Sequence, residues 1–159
     1  MPIFTKVDSF TKQIALFIKN GDYGSAYNLA KEMVQAFPQE MISHFLLAKS
    51  AFWMEKYPEA IEEGSRAMNI ASQRQDMITC AVLVSNARFM LHEYEKGLTL
   101  LELFENDKDE DIERMLVIFS SAMDRQEYVD KYIRELMKIN SKSAKELIER
   151  FLETATKKG

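Results

Sequence analysis

Apolar residues recur along this chain at helical rather than strand spacing, in pairs of runs separated by short polar joints. Phe10, Ile14, Phe17 and Ile18 form the first run, which Asn20-Gly21 ends, and Asp8 or Ser9 is the side chain expected to cap its start. Ala26, Leu29, Ala30, Met33, Val34 and Phe37 form the second, closed by Pro38. From about Met41 to Glu55 the pattern changes. Ile42, Phe45, Leu46, Leu47, Ala48, Ala51, Phe52, Trp53 and Met54 leave little polar face, so this helix is expected to be covered on several sides. Pro58 falls in the first turn of the next helix, where its missing N–H costs nothing. Behind it runs a narrower stripe of Ala60, Ile61, Gly64, Ala67, Met68 and Ala71, with Glu59, Glu62, Glu63, Arg66 and Asn69 expected to face water.

The alternation continues past a polar connection at 72–76. Ile78, Ala81, Val82, Val84, Phe89 and Met90 pair with Leu98, Leu100, Leu101, Leu103 and Phe104. Ile112, Met115, Leu116, Ile118, Phe119 and Met123 pair with Tyr128, Tyr132, Ile133, Leu136 and Met137. The acidic run 105–111 between them reads first as carboxylates gathered at a helix N-terminus, where they complement the dipole, and second as a contact for a basic partner. Ser143-Ala-Lys-Glu146 has the form of a capping box and opens a last helix carrying Leu147, Ile148, Phe151, Leu152 and Ala155. Such a helix would cover the open end of a stack, and the Thr156–Gly159 tail is expected to fray.

The joints repeat as well. Asn20-Gly-Asp-Tyr-Gly-Ser-Ala26 is echoed by Glu55-Lys-Tyr-Pro-Glu-Ala60, with both the tyrosines and the alanines thirty-four positions apart. Tyr94 and Tyr128 follow at spacings of thirty-seven and thirty-four. A fixed period of this size means stacked supersecondary units, each unable to bury its apolar face alone.

With Met41 as position one, Ala48, Tyr57, Ala60 and Ala67 fall at positions eight, seventeen, twenty and twenty-seven; Gly21, Tyr23, Ala26, Ala30 and Pro38 mark the preceding unit. In these residues the chain resembles the tetratricopeptide repeat (TPR) family. His44 stands where that family keeps a tryptophan, Gly97 where it keeps a packing alanine, and Lys131, Glu135 and Lys138 where small or apolar residues belong. The resemblance is strong over 7–71, fair over 72–105 and weak beyond. It implies an all-α, right-handed solenoid in a single domain spanning 1–159, with repeats near 7–40, 41–74, 78–109 and 112–140 and a capping helix at 143–156.

The resemblance also implies a function: the first helix of each hairpin lines a concave groove that holds another chain. Mapped onto this sequence, the groove is expected to present Ile18, then Phe45, Lys49, Phe52 and Trp53, then Val82, Asn86, Phe89 and Met90, and finally Leu116, Ser120 and Met123. The partner-binding set is Ile18, Phe45, Lys49, Phe52, Trp53, Val82, Asn86, Phe89, Met90 and Met123; the alternative for its aromatics is an ordinary core. Lys49 and Asn86 do not complete the carboxylate clamp by which some TPR proteins hold chaperone C-termini. An apolar groove suits a peptide with apolar anchors or an amphipathic helix. The expected function is a non-catalytic adaptor or chaperone. A secretion chaperone for one client and a self-assembling scaffold are the alternatives, because some type III secretion chaperones are TPR domains of this size and acidity.

Composition agrees. Of the 159 residues, 47% are apolar and 29% charged, a globular balance; no apolar run reaches membrane-spanning length, and the first residues lack a signal-peptide pattern, so a cytoplasmic protein is expected. A net charge of −4 without any Lys/Arg block argues against nucleic acid. Cys80 is alone, and two histidines cannot make a structural zinc site, so no cofactor or metal is expected. Glu40 with His44 and His92 with Glu93 pair acid and imidazole without the doubled Glu-x-x-His of a di-iron bundle. There is no phosphate loop or nucleophile elbow, so no enzyme is expected. The ten methionines read as core filler or as an adaptable groove lining.

Overall fold

A computed structural model describes residues 3–158, with side chains described for 6–154. The expected fraying of the tail and the place of Ala155 lie outside those side chains. Among the described residues there are helices and no strands: α1 (Ile3–Lys19), α2 (Tyr23–Ala36), α3 (Met41–Trp53), α4 (Tyr57–Ile70), α5 (Arg74–Met90), α6 (Tyr94–Glu102), α7 (Glu110–Ala122), α8 (Gln126–Ile139) and α9 (Ser141–Lys158). They gather into two compact units, Met1–His92 and Glu93–Gly159, whose boundary falls inside the expected third repeat.

In the first unit each helix packs on the next through α5, and α3 also touches α1 and α5. The α3 sequence has almost no polar face because α1, α2, α4 and α5 cover it. Its core includes Ile14, Ala26, Ala30, Met33, Leu46, Leu47, Ala51 and Ala60. In the second unit α7 packs on α6, α8 and α9, around Leu98, Leu101, Ile112, Leu116, Phe119, Tyr132 and Leu136.

The joints explain the recurring tyrosines. Tyr23, Tyr57 and Tyr94 each open a helix, two residues after a left-handed residue: Gly21 (φ 78°), Glu55 (φ 60°) and His92 (φ 59°). Asp124 (φ 55°) does the same before α8. The closing bond runs from Asp22 N–H to Phe17 O, Lys56 N–H to Ala51 O and Arg125 N–H to Ser120 O, at 2.8–2.9 Å. This is the Schellman way of satisfying orphan carbonyls, and it normally takes glycine. Here one joint of four has it.

Three starts differ from expectation or match it through different atoms. Asp8 and Ser9 lie within α1, which begins earlier, so neither is its cap. Asp109 caps α7 by accepting from Ile112 N–H at 3.1 Å, with Glu110 and Asp111 in the first turn. The capping box at 143–146 is overturned: Asn140 Oδ1 accepts from Ser143 N–H at 3.2 Å, and Ser143 is itself buried. Its hydroxyl serves α7 instead, accepting from the Arg114 guanidinium.

Gly97 has a steric reason. A Cβ there would come 2.1 Å from Cε1 of Phe119, so the ring occupies the space that Ala26 and Ala60 fill with their own methyls in the first two hairpins. Gly97→Ala is expected to cost about 1–3 kcal/mol by overpacking. Urea unfolding checks this, and Phe119→Leu in the same chain should return part of the loss if the contact is the cause. Glu55→Gly is expected to stabilise by under about 1 kcal/mol, because relief of the left-handed penalty exceeds the added chain entropy.

Candidate functional site

The sequence-derived groove residues of the first unit lie on α1, α3 and α5. Ile18, Phe45, Lys49, Phe52, Val82, Asn86 and Phe89 are half-buried there, while Trp53 and Met90 are 47% and 49% exposed. Ile18, Phe45 and Phe52 lean on the core. In the second unit Met123 is half-buried, but Leu116 and Ser120 are fully buried and belong to the core, a correction to the expected groove.

The aromatics do not stand alone. Trp53 stacks flat on Tyr23, with centroids 5.3 Å apart and planes 10° from parallel. Phe52 meets Trp53 edge-on at 5.8 Å and Tyr57 at 5.5 Å. A continuous aromatic row therefore joins the end of α3 to the first residues of α2 and α4. Aromatic pairs of this geometry contribute about 0.5–1.5 kcal/mol beyond area. Phe52 and Trp53 thus have a structural task at the joint as well as an exposed edge.

A second regularity appears only with the structure in view. Phe52-Trp53-Met54-Glu55-Lys56-Tyr57 and Phe89-Met90-Leu91-His92-Glu93-Tyr94 are the same motif: two terminal helical residues, an apolar C-cap, a left-handed residue, a polar residue, and a tyrosine that opens the next helix. Met54 and Leu91 are the C-caps, 37% and 38% exposed. Short connections force α4 to run against both α3 and α5, so α3 and α5 are parallel and their C-terminal ends share one edge of the first unit. Sequence reasoning missed Leu91 and offered Met54 only among the methionines of an adaptable lining, although the thirty-seven-residue echo was there to be read.

Near the start of α3 lies a buried polar tie. His44 Nε2 donates to Pro38 O at 2.7 Å, and Nδ1 lies 2.6 Å from Glu63 Oε2. Glu63 Oε1 also accepts from Arg66 at 2.6 Å, as an ionised carboxylate does. Pro38 O can only accept, so Nε2 carries a proton, and the Nδ1 contact closes a short tie between the ring and the Glu63 carboxyl. Glu63, expected to face water, is therefore buried, and His44 pairs with it rather than with Glu40. Glu59, also assigned to water, is half-buried and accepts from the Tyr27 hydroxyl through both oxygens at 2.8 and 2.9 Å. Burial and then Glu59 push that hydroxyl up to about 12.

Among the described residues no cluster of His, Cys, Asp or Glu has a metal-binding arrangement. Burial, reinforced by Asp76, pushes the Cys80 thiol up to about 11, away from nucleophilic use at neutral pH. No described helix is long and apolar enough to cross a membrane.

His44→Ala is expected to destabilise the first unit by about 3 kcal/mol, because it leaves Glu63 Oε2 buried without its partner and, among the described residues, Arg66 as the one remaining tie to that carboxylate. Thermal and urea unfolding should show His44→Leu with Glu63→Leu recovering much of that loss. A double variant no better than the single one would mean the unpartnered carboxyl is not the source of the loss.

A scan of protein-family models finds no match, and neither does a search of curated proteins. Solved structures do match. A crystal structure of MamA is 16% identical, covering 89% of this chain and 94% of that one, with a TM-score of 0.69. A second MamA crystal structure is 15% identical over 87% of this chain and 75% of its own, with a TM-score of 0.73. A structure of MamA MSR-1 C2 is 14% identical over 91% and 78%, with a TM-score of 0.64. At such identities the likeness is one of fold: the chain has an all-α, TPR-like fold of helical hairpins.

Proposed function

We propose that this chain is a non-catalytic protein-interaction module, an adaptor or chaperone that holds a partner peptide or amphipathic helix against α3 and α5 of its first unit. The observation that carries this is the doubled apolar terminus. Trp53 and Met54 at the C-terminal end of α3 and Met90 and Leu91 at the C-terminal end of α5, which touches α3, are all exposed large apolar side chains. Clustered apolar exposure of this kind marks recognition surfaces, whereas single exposed apolar residues are ordinary. Phe45, Phe52, Val82 and Phe89, half-buried on the same two helices, supply the floor, and Lys49 and Asn86 the polar contacts. Methionine adds a chain that repacks around different ligands.

Self-association is the second reading, favoured by a groove of about 340 Å³ along α8 and α9, where Val129, Ile133, Ile148, Phe151 and a Leu152 that is 62% exposed lie beside the polar Ser121, Gln126 and Asp130. Mass measured over a hundredfold range of concentration separates it: the scaffold reading requires the mass to grow, the adaptor reading does not.

Trp53 is the chain's single tryptophan and reports on the proposed surface directly. A partner captured from the source lysate by the wild type should be lost by a Met90→Glu, Leu91→Glu variant that keeps its helical circular dichroism. The same partner should shift Trp53 emission to the blue and shield it from acrylamide. A partner that binds both proteins equally and leaves Trp53 open to quencher would remove this edge from consideration. A client chaperone differs from an adaptor in that its captured partner is unstable when isolated.

A further inference from the structure

Glu113 in α7 is 2% exposed, and no hydrogen-bond donor among the described residues reaches its Oε2. Its surroundings are acidic. Glu105 and Asp109 act on it from the segment before α7, and Glu135 from α8. Lys131 of α8 is the opposing charge, but it lies 3.5 Å from Glu105, which also accepts from the Tyr132 hydroxyl at 3.2 Å. Glu135 is paired with Lys138 at 3.0 Å. From α9, Ser143 meets α7 through Arg114 and brings no charge of its own. An ionised carboxylate in this place would lose its water, gain no donor and face three like charges, so the neutral acid is the form that fits.

We propose that Glu113 is a proton-operated latch on the second unit: the α7–α8 hairpin closes fully while this carboxyl holds its proton and loosens when the proton leaves. Burial, then Glu135 and Glu105, hold the group near 7 in the folded chain, against an ordinary 4.5. Because the folded form binds the proton more tightly, the stabilisation is complete below the ordinary carboxylate value. It is lost progressively as pH rises from there through about 7, with most of the change falling between the two values.

The test is hydrogen exchange of α7 and α8 amides in the full chain between pH 5 and 9, as protection factors, for wild type and Glu113→Gln. Wild-type protection is expected to fall by up to about a hundredfold across the range, each pH unit between the ordinary and the folded value costing up to about tenfold and the profile flattening above about pH 8. Glu113→Gln should flatten the profile and exceed wild type at pH 8. Equal slopes in the two proteins would overturn the latch. Should the variant not fold, the side-chain carboxyl ¹³C shift of Glu113 in the wild type decides the matter: a midpoint near neutrality supports the proposal, and one near 4.5 ends it.

Discussion

Close approach of paired helices is the constraint on which the rest depends. Three residues after each of the first three joint tyrosines stands a side chain no larger than a methyl: Ala26, Ala60 and Gly97, all buried. A larger group there would hold the two helices apart, and the apolar stripes behind it would no longer meet. Gly97 shows that the requirement is on total volume rather than on alanine, since Phe119 advances into the space its missing methyl leaves. The same holds at Gly64, where a Cβ would come 2.7 Å from Val84 Cγ2 of the following helix.

Once the helices are this close, polar side chains between them must find partners or lose water for nothing. His44 answers by bridging Pro38 and Glu63, and Tyr27 by donating to Glu59 while the Lys56 ammonium lies 4.2 Å above its ring. Both ties cross from one hairpin element to another and set the register of the packing as apolar contacts alone would not. Among the described residues the hydroxyls of Ser43, Ser85 and Ser120 and Oε2 of Glu113 find no such partner, and of these four only Glu113 can carry a charge. It is buried as deeply as His44 and Tyr27, and that difference makes it a candidate for control rather than for cohesion.

How much of this was legible follows from the range of each interaction. Helix positions, the joints and the covered α3 rest on contacts within a few residues or on a periodic stripe, and these were readable. Asp8 and Ser9 looked like a cap because a cap and an exposed helical position accept the same polar residues. Ser143 looked like one because the true cap, Asn140, lay three residues earlier with no distinguishing neighbour. Glu63 was assigned to water by its place on the stripe, yet its partner sits nineteen residues away on another helix. Gly97 read as a departure until Phe119 was seen beneath it. Of the surface, Phe52, Trp53, Phe89 and Met90 follow from register alone, and Met54 only from the adaptability of methionine; Leu91 was passed over because a C-cap is not a helical position and the groove pattern ends one residue earlier.

That omission bears on where a partner surface can exist. Inside a hairpin, most apolar residues are covered by a facing helix, so their presence alone says nothing about binding. The residue at a C-cap is different, because the chain turns through a left-handed position immediately afterwards and leaves the next helix by a route that does not cover it. Folding asks only for a left-handed residue there, which Gly21 satisfies at the first joint with polar Asn20 before it. At the next two joints the preceding residue is instead methionine or leucine, and the one before that tryptophan or methionine. Trp53 serves the joint by stacking on Tyr23, but the left-handed turn itself does not require an apolar residue before it, and exposure penalises one. Two successive joints that carry the same costly pattern on one edge are better accounted for by what the edge touches than by how the chain folds.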